Sequence, residues 1–87
     1  MASYSVLIKP SAEKELAAIP RKDRLRIVTR IRALADNPRP IGCEKLSGRE
    51  QYRLRQGRYR IVYSVSDPEQ TVLIVKIAHR REAYRGR

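Results

Sequence analysis

The stretch Tyr52–Tyr63, YRLRQGRYRIVY, alternates arginines with tyrosine and aliphatic residues. Alternate side chains of an extended strand point to opposite faces. The pattern therefore predicts two strands, joined by a turn at Gln56-Gly57, with an apolar face on one side and arginines on the other. The apolar face would pack on a core. Guanidinium groups concentrated on rigid strands indicate phosphate binding or phosphate chemistry.

The chain is short and strongly basic, with 87 residues and a formal net charge of +11. This length predicts one domain, residues 1–87, with a modest core. Residues 49–63 carry five arginines against Glu50, and residues 76–87 carry five basic side chains against Glu82. Such a balance on predicted strands favours binding to a polyanion. The alternative is a solvated face that only adds solubility.

Cys43 is the single cysteine, so an internal disulfide and a cysteine-based zinc site are excluded. The carboxylates are scattered and His79 is the single histidine, without the spacing of metal ligands, so we expect neither a metal nor a cofactor. The apolar run Val6-Leu7-Ile8 is too short for a signal peptide or a membrane span. We therefore expect a cytoplasmic protein that does not enter the membrane.

Two helices are predicted to follow a first strand at Tyr4–Lys9, which Pro10 ends. Ser11 is the expected N-cap of a helix that runs to about Ile19. A second helix is expected from about Arg21 to Asp36. Its apolar side chains recur at three and four residues and predict one buried stripe. They are Leu25, Ile27, Val28, Ile31, Leu34 and Ala35.

A loop is expected at Asn37–Arg49, before the two strands of the opening stretch. The last strand, Thr71–Ala78, is apolar on both faces for most of its length, which is typical of a central strand covered on both sides. The predicted order is β-α-α-β-β-β. The fold class is therefore α+β, a small, largely antiparallel sheet with an N-terminal helical hairpin packed on one face.

This element order and two motifs resemble the RelE/ParE superfamily of bacterial toxins, and the RelE branch more than the ParE branch. The first motif is the hairpin Y-[KR]-x-[KR]-x-G-x-Y-R-[IV]-[VI]-Y at residues 52–63, and the second is the HRREAY that ends the last strand at residues 79–84. The resemblance covers nearly the whole chain, although the N-terminal third matches only as a generic amphipathic pattern. The two motifs are specific in combination.

The resemblance implies a toxin that cuts messenger RNA in the ribosomal A site. It implies catalytic roles for two basic residues on the second strand, one on the third, one after the last strand and a tyrosine in the tail. These fall on Arg53, Arg55, Arg60, Arg80 and Tyr84, and His79 takes a place where relatives have Lys or His. Further basic residues are expected to grip RNA, namely Arg58, Arg81, Arg26 and Arg30.

Metal-free RNA cleavage uses the ribose 2′-OH as the nucleophile and needs a base, an acid and cations that stabilise the transition state. Arginines suit the last task, but they stay protonated and cannot readily serve as the base. Tyr84 and His79 remain. Histidine has the better unperturbed pKa, about 6.5 against about 10 for tyrosine. Tyr84 could instead stack on a base.

Two other readings remain open. One is a ParE-like protein that inhibits DNA gyrase without cleaving RNA, and the other is a non-toxic nucleic-acid-binding module or a decayed toxin. The resemblance also implies partners. These are a cognate antitoxin, RelB-like, small and acidic, the ribosome with its messenger RNA, and operator DNA bound as a toxin–antitoxin complex.

Overall fold

The computed structural model describes residues 3–46 and 50–79, and these form two helices and five strands. In chain order they are β1 (Ser5–Ile8), α1 (Pro10–Ala17), α2 (Arg21–Ala33), β2 (Glu44–Lys45), β3 (Gln51–Gln56), β4 (Tyr59–Ser66) and β5 (Thr71–His79). The α+β class is confirmed. The short strand β2 lies inside the stretch predicted to be a loop.

The strands form one sheet in the order β1-β5-β4-β3-β2. β2, β3, β4 and β5 pair antiparallel, whereas β1 pairs with β5 in parallel, with Ser5 beside Thr71 and Ile8 beside Ile74. The sheet is therefore largely antiparallel, as predicted. β1 and β5 are neighbours in the sheet, although both helices and three strands lie between them in the sequence.

The start of α1 differs from the prediction. Lys9 is the N-cap and Pro10 is the first helical residue, so Ser11 lies inside the helix. Proline suits this position because its fixed φ matches a helix and its missing N–H would have had no intrahelical partner. Pro10 therefore both ends the strand and begins the helix.

The second helix ends at Ala33, before the predicted Asp36. The next residues form turns in which N–H groups bond three residues back, as in Leu34 N to Ile31 O (3.1 Å) and Asp36 N to Ala33 O (3.2 Å). This tightening is common at a helix end. No helix in the described ranges is long and apolar enough to cross a membrane.

The core lies between the helices and one face of the sheet. Ile27 and Ile31 of α2 and its C-cap Leu34 are buried, whereas Leu25, which was predicted to belong to the buried stripe, is 54% exposed. The Tyr63 hydroxyl donates a hydrogen bond to the carbonyl of Pro38 at 2.8 Å, and burial raises its pKa. Ala12 of α1 and Ile19 also belong to the core, and the sheet supplies Tyr52, Leu54, Ile61, Tyr63, Val65, Val72, Ile74 and Ile77.

On the opposite face of the sheet β5 is covered less than predicted along most of its length, although Ala78 near its end is buried. Val72 and Ile74 are fully buried on the helix face. Leu73 and Val75 are only partly buried, and Leu7 on the neighbouring strand is 54% exposed. We call this side the open face.

Arg39 ties the loop after α2 to two other parts of the chain. Its guanidinium donates to the Tyr52 hydroxyl (2.8 Å), to Glu50 (3.1 Å) and to both oxygens of Asp67 (3.0 and 3.1 Å). The Tyr4 hydroxyl also donates to Asp67 at 2.6 Å. These hydrogen bonds, those from Arg39 first, hold the pKa values of the Asp67 and Glu50 carboxyls below their usual range.

Candidate active site

Three arginines lie together on the open face. Arg53 and Arg55 are two positions apart on β3, so they share a face, and Arg55 pairs directly with Arg60 on β4. The turn of this hairpin is Gly57-Arg58, one residue later than predicted, and Gly57 adopts φ 60° at its first position. The predicted separation of apolar and arginine faces is thus confirmed for the hairpin.

The three guanidinium groups differ in exposure. Arg60 is only 4% exposed and lies between Arg55 on β3 and Ala78 on β5 in the sheet. Arg53 is partly buried and Arg55 is exposed. Arginine keeps its charge when buried. The sheet therefore presents one fixed cation beside two more accessible ones, which suits a single phosphate group.

Glu44 is a fourth member of this cluster that sequence reasoning missed. It pairs with Arg53 between β2 and β3, and its Oε1 accepts hydrogen bonds from Nε (3.1 Å) and Nη2 (2.8 Å) of that arginine. The hydrogen bond from Arg53 lowers the pKa of Glu44, as do the charges of Arg53, Arg55 and Arg60. All three arginines thus stabilise the Glu44 carboxylate. It also accepts from the Arg53 N–H groups that a phosphate would need.

The side chain of His79 lies on the other face. Tyr59 pairs with His79, and the next pair is Arg60 with Ala78, so successive side chains alternate across the sheet. The rings of Tyr59 and His79 meet edge to face with their centroids 5.5 Å apart. The structure therefore brings Arg53, Arg55 and Arg60 together, but it separates His79 from them by the thickness of the sheet.

A cleft of about 330 Å³ opens beside His79 on the helix face. It lies between the end of α1 and the last residues of β5. Its lining residues are Glu15, Ala18, Ile19, Tyr59, Lys76, Ile77 and His79.

The remaining predicted site residues are spread over the molecule or lie outside the described ranges. Arg58 is exposed in the hairpin turn, and Arg26 (exposed) and Arg30 (half-buried) lie on α2. Arg80, Arg81 and Tyr84 lie outside the described residues. Among residues 3–46 and 50–79, no three His, Cys, Asp or Glu side chains are grouped so that they could hold a metal ion. The catalytic and RNA-binding roles all stay predictions.

Comparison with known proteins finds the same fold and sequence pattern. The family described as the ParE toxin of the type II toxin–antitoxin system parDE matches residues 6–84. Toxin RelE of Mycobacterium tuberculosis is 32% identical over 84 residues, which cover 94% of this chain and 87% of that protein.

Solved structures agree. A RelBE toxin–antitoxin complex from Mycobacterium tuberculosis has a TM-score of 0.80 at 25% identity, covering 92% of this chain and 94% of that chain. The archaeal RelE–RelB complex from Pyrococcus horikoshii has a TM-score of 0.79 at 27% identity, covering 90% and 96%. The fold is thus that of the toxins of type II toxin–antitoxin systems. The chain belongs to the RelE/ParE superfamily of these toxins and is RelE-like.

Proposed function

We propose that this chain is a ribosome-dependent endoribonuclease that stops translation by cutting messenger RNA. The observation that carries the proposal is the cluster of Arg53, Arg55 and Arg60 on the open face. The likeness to Toxin RelE supports the same reading. Since ribosomes and messenger RNA are the proposed targets, the proposed location is the cytoplasm.

The proposed reaction is an internal transfer within the RNA that needs no metal ion. The ribose 2′-OH attacks the adjacent phosphorus, a bond forms between O2′ and phosphorus, and the bond from phosphorus to the 5′ oxygen breaks. The products are a 2′,3′-cyclic phosphate and a 5′-hydroxyl. Arg53, Arg55 and Arg60 would stabilise the charge that develops on the phosphate oxygens, and Arg80 would join them.

Proton transfer is assigned to the end of the chain. Tyr84 is proposed to take part in proton transfer or to stack on a base, with His79 assisting. Because the His79 side chain lies on the helix face, RNA that touches both His79 and the arginines must pass around the end of the sheet. Tyr84→Phe keeps the ring and removes the hydroxyl, so full cleavage by this variant would refute the proton-transfer role.

The ribosome would orient the RNA so that the 2′-OH lies in line with the phosphate. Holding the 2′-OH in line with the phosphate can contribute several kcal/mol, on the order of the effect of a catalytic group. Basic side chains away from the cluster would grip RNA, so binding should weaken steeply with salt. The residues proposed for this contact are Arg58, Arg81, Arg26 and Arg30.

An antitoxin is the proposed protein partner. The related structures named above are complexes with RelB. On the open face of this chain, Leu7, Leu73 and Val75 are exposed or partly buried in the same sheet as the three arginines. A small acidic protein with apolar side chains could cover both the apolar side chains and the arginines. The toxin and the antitoxin together would bind operator DNA. Harmless expression of the wild-type chain in a sensitive bacterium would count against this proposal.

Primer extension on messenger RNA after induction tests the nuclease directly. We expect cuts phased with the ribosome for the wild type and their loss in Arg60→Ala and Arg80→Ala. Arg32→Ala, an exposed arginine on α2, is the matched control and should cut as the wild type does. Cuts that persist in Arg60→Ala, in a chain that is still folded, would refute the assigned site.

A ParE-like activity is the second candidate, because the matching family is described as the ParE toxin. Such a protein would inhibit DNA gyrase and leave messenger RNA intact. A gyrase supercoiling assay beside a cell-free translation assay separates the two. Gyrase inhibition with intact messenger RNA would replace the first proposal with the second, and inactivity in both assays would point to a decayed toxin.

A further inference from the structure

The second half of β5 extends past the end of β1. The parallel pairing ends where Ile8 lies beside Ile74, and the N–H of Lys9 donates to the carbonyl of Ile74 at 3.0 Å. Within the described residues, no strand lies beside β5 on this side after that point. The backbone groups at this edge therefore need other partners.

Glu15 of α1 supplies such a partner. Its Oε1 accepts a hydrogen bond from the backbone N–H of Ile77 at 2.8 Å, and its Oε2 accepts one from Nζ of Lys76 at 2.9 Å. Hydrogen bonds to an ionised carboxylate are shorter and stronger than neutral ones. One side chain thus holds the main chain of β5 in the way that a neighbouring strand would.

The contact falls at a point where the strand is irregular. The register between β4 and β5 shifts, because Val62 pairs with Lys76 while Tyr63 pairs with Ile74. Such a bulge bends a strand and leaves one residue outside the ladder. After the bulge β5 stays paired with β4 as far as His79, whereas on its other edge the backbone N–H of Ile77 is held by Glu15.

Ile77 lies two residues before His79 and three before Arg80. We propose that Glu15 is a positioning residue, which fixes the path of β5 and so holds His79 in the place that its proposed assisting role requires. This inference rests on the proposed ribonuclease function. Glu15 acts through the main chain of Ile77.

Three variants separate the parts of this contact. Glu15→Met removes both hydrogen bonds, Glu15→Gln keeps an oxygen that can accept from Ile77, and Lys76→Met removes the ion pair but keeps the hydrogen bond from Ile77 to Glu15. Glu13→Met is the control, because Glu13 is an exposed carboxylate on the same helix. Cleavage kinetics on stalled ribosomes and hydrogen exchange at the Ile77 amide are the two measurements.

We expect Glu15→Met to lower kcat about 10- to 100-fold, with KM changed less than about twofold, because misplacement acts on the chemical step. Glu15→Gln and Lys76→Met should stay within about threefold of the wild-type kcat, and Glu13→Met should match the wild type. The Ile77 amide should exchange faster in Glu15→Met and keep its protection in Lys76→Met.

Wild-type kcat in Glu15→Met would overturn the inference, and so would a kcat for Glu15→Gln as low as that for Glu15→Met. Unchanged exchange at Ile77 in Glu15→Met would also overturn it, whatever the cleavage result. A wild-type chain that leaves messenger RNA intact is a different outcome, because it refutes the proposed function. The two failures are therefore distinguishable.

Discussion

Replacing Glu44 with alanine should strengthen the dependence of RNA binding on salt. Glu44 accepts two hydrogen bonds from Arg53 and no other partner is described for its carboxylate, so its removal frees one cation for a phosphate. For single-stranded RNA, each added phosphate contact steepens the slope of log K against log salt by about 0.7. Between about 50 and 200 mM salt, this slope corresponds to roughly a 2.6-fold larger loss of affinity.

Fluorescence anisotropy with a short 2′-O-methyl RNA measures this slope without cleavage, because the nucleophile is blocked. Glu69→Ala is the matched control, since it removes one exposed carboxylate from the turn before β5 and raises the net charge equally. We expect the wild-type slope for Glu69→Ala. Equal slopes for Glu44→Ala and the wild type would show that Arg53 does not bind phosphate even when released. A slope that steepens equally in Glu44→Ala and Glu69→Ala would show that only the net charge of the protein sets the salt dependence.

Three further predictions concern stability and are checked by urea denaturation. Tyr63→Phe should cost about 1–3 kcal/mol, because it leaves the buried carbonyl of Pro38 without its donor. Ile74→Ala should cost roughly 2–5 kcal/mol, whereas Leu7→Ala, at 54% exposure, should stay within about 0.5 kcal/mol. The pKa values of Asp67 and Glu50 are depressed in the folded state, so their contribution is present above the unfolded pKa, near 4, and is lost as pH falls through the folded pKa. In Arg39→Met the free energy of unfolding should therefore fall less steeply below about pH 4 than in the wild type. An equally steep fall would show that Arg39 does not lower the two pKa values.

The hairpin could be predicted from the sequence because apolar residues alternate with arginines on both sides of the turn, at residues 52–55 and 58–61. Side-chain alternation then fixed both faces, and the three arginines could be assigned to one of them. β2 could not be predicted in this way, because Glu44 and Lys45 are two charged residues with no apolar alternation. Glu44 was missed for the same reason, since only the pairing of β2 with β3 places it beside Arg53.

The position of His79 shows a second limit. The HRREAY motif indicates which residues are needed, but neighbouring residues of a strand face opposite sides, so the motif cannot place all of them at one point. Pro10 shows a third, because proline is both a strand breaker and a favoured first residue of a helix. Sequence patterns predict most of the helices and strands, whereas the strand register, the bulge and the ends of the elements depend on contacts between distant residues.

The parallel pairing of β1 with β5 has a consequence for how the protein is made. Ser5 pairs with Thr71, and both helices and three strands lie between them in the sequence. Pairing across such a separation is slow, because the loop must close before the contact is gained. A nascent chain that lacks β5 has neither the strand that joins β1 to β4 nor the segment that follows it. The sheet therefore stays incomplete until β5 has been synthesised, so this proposed attacker of ribosomes cannot take its active shape before β5 has left the ribosome that makes it.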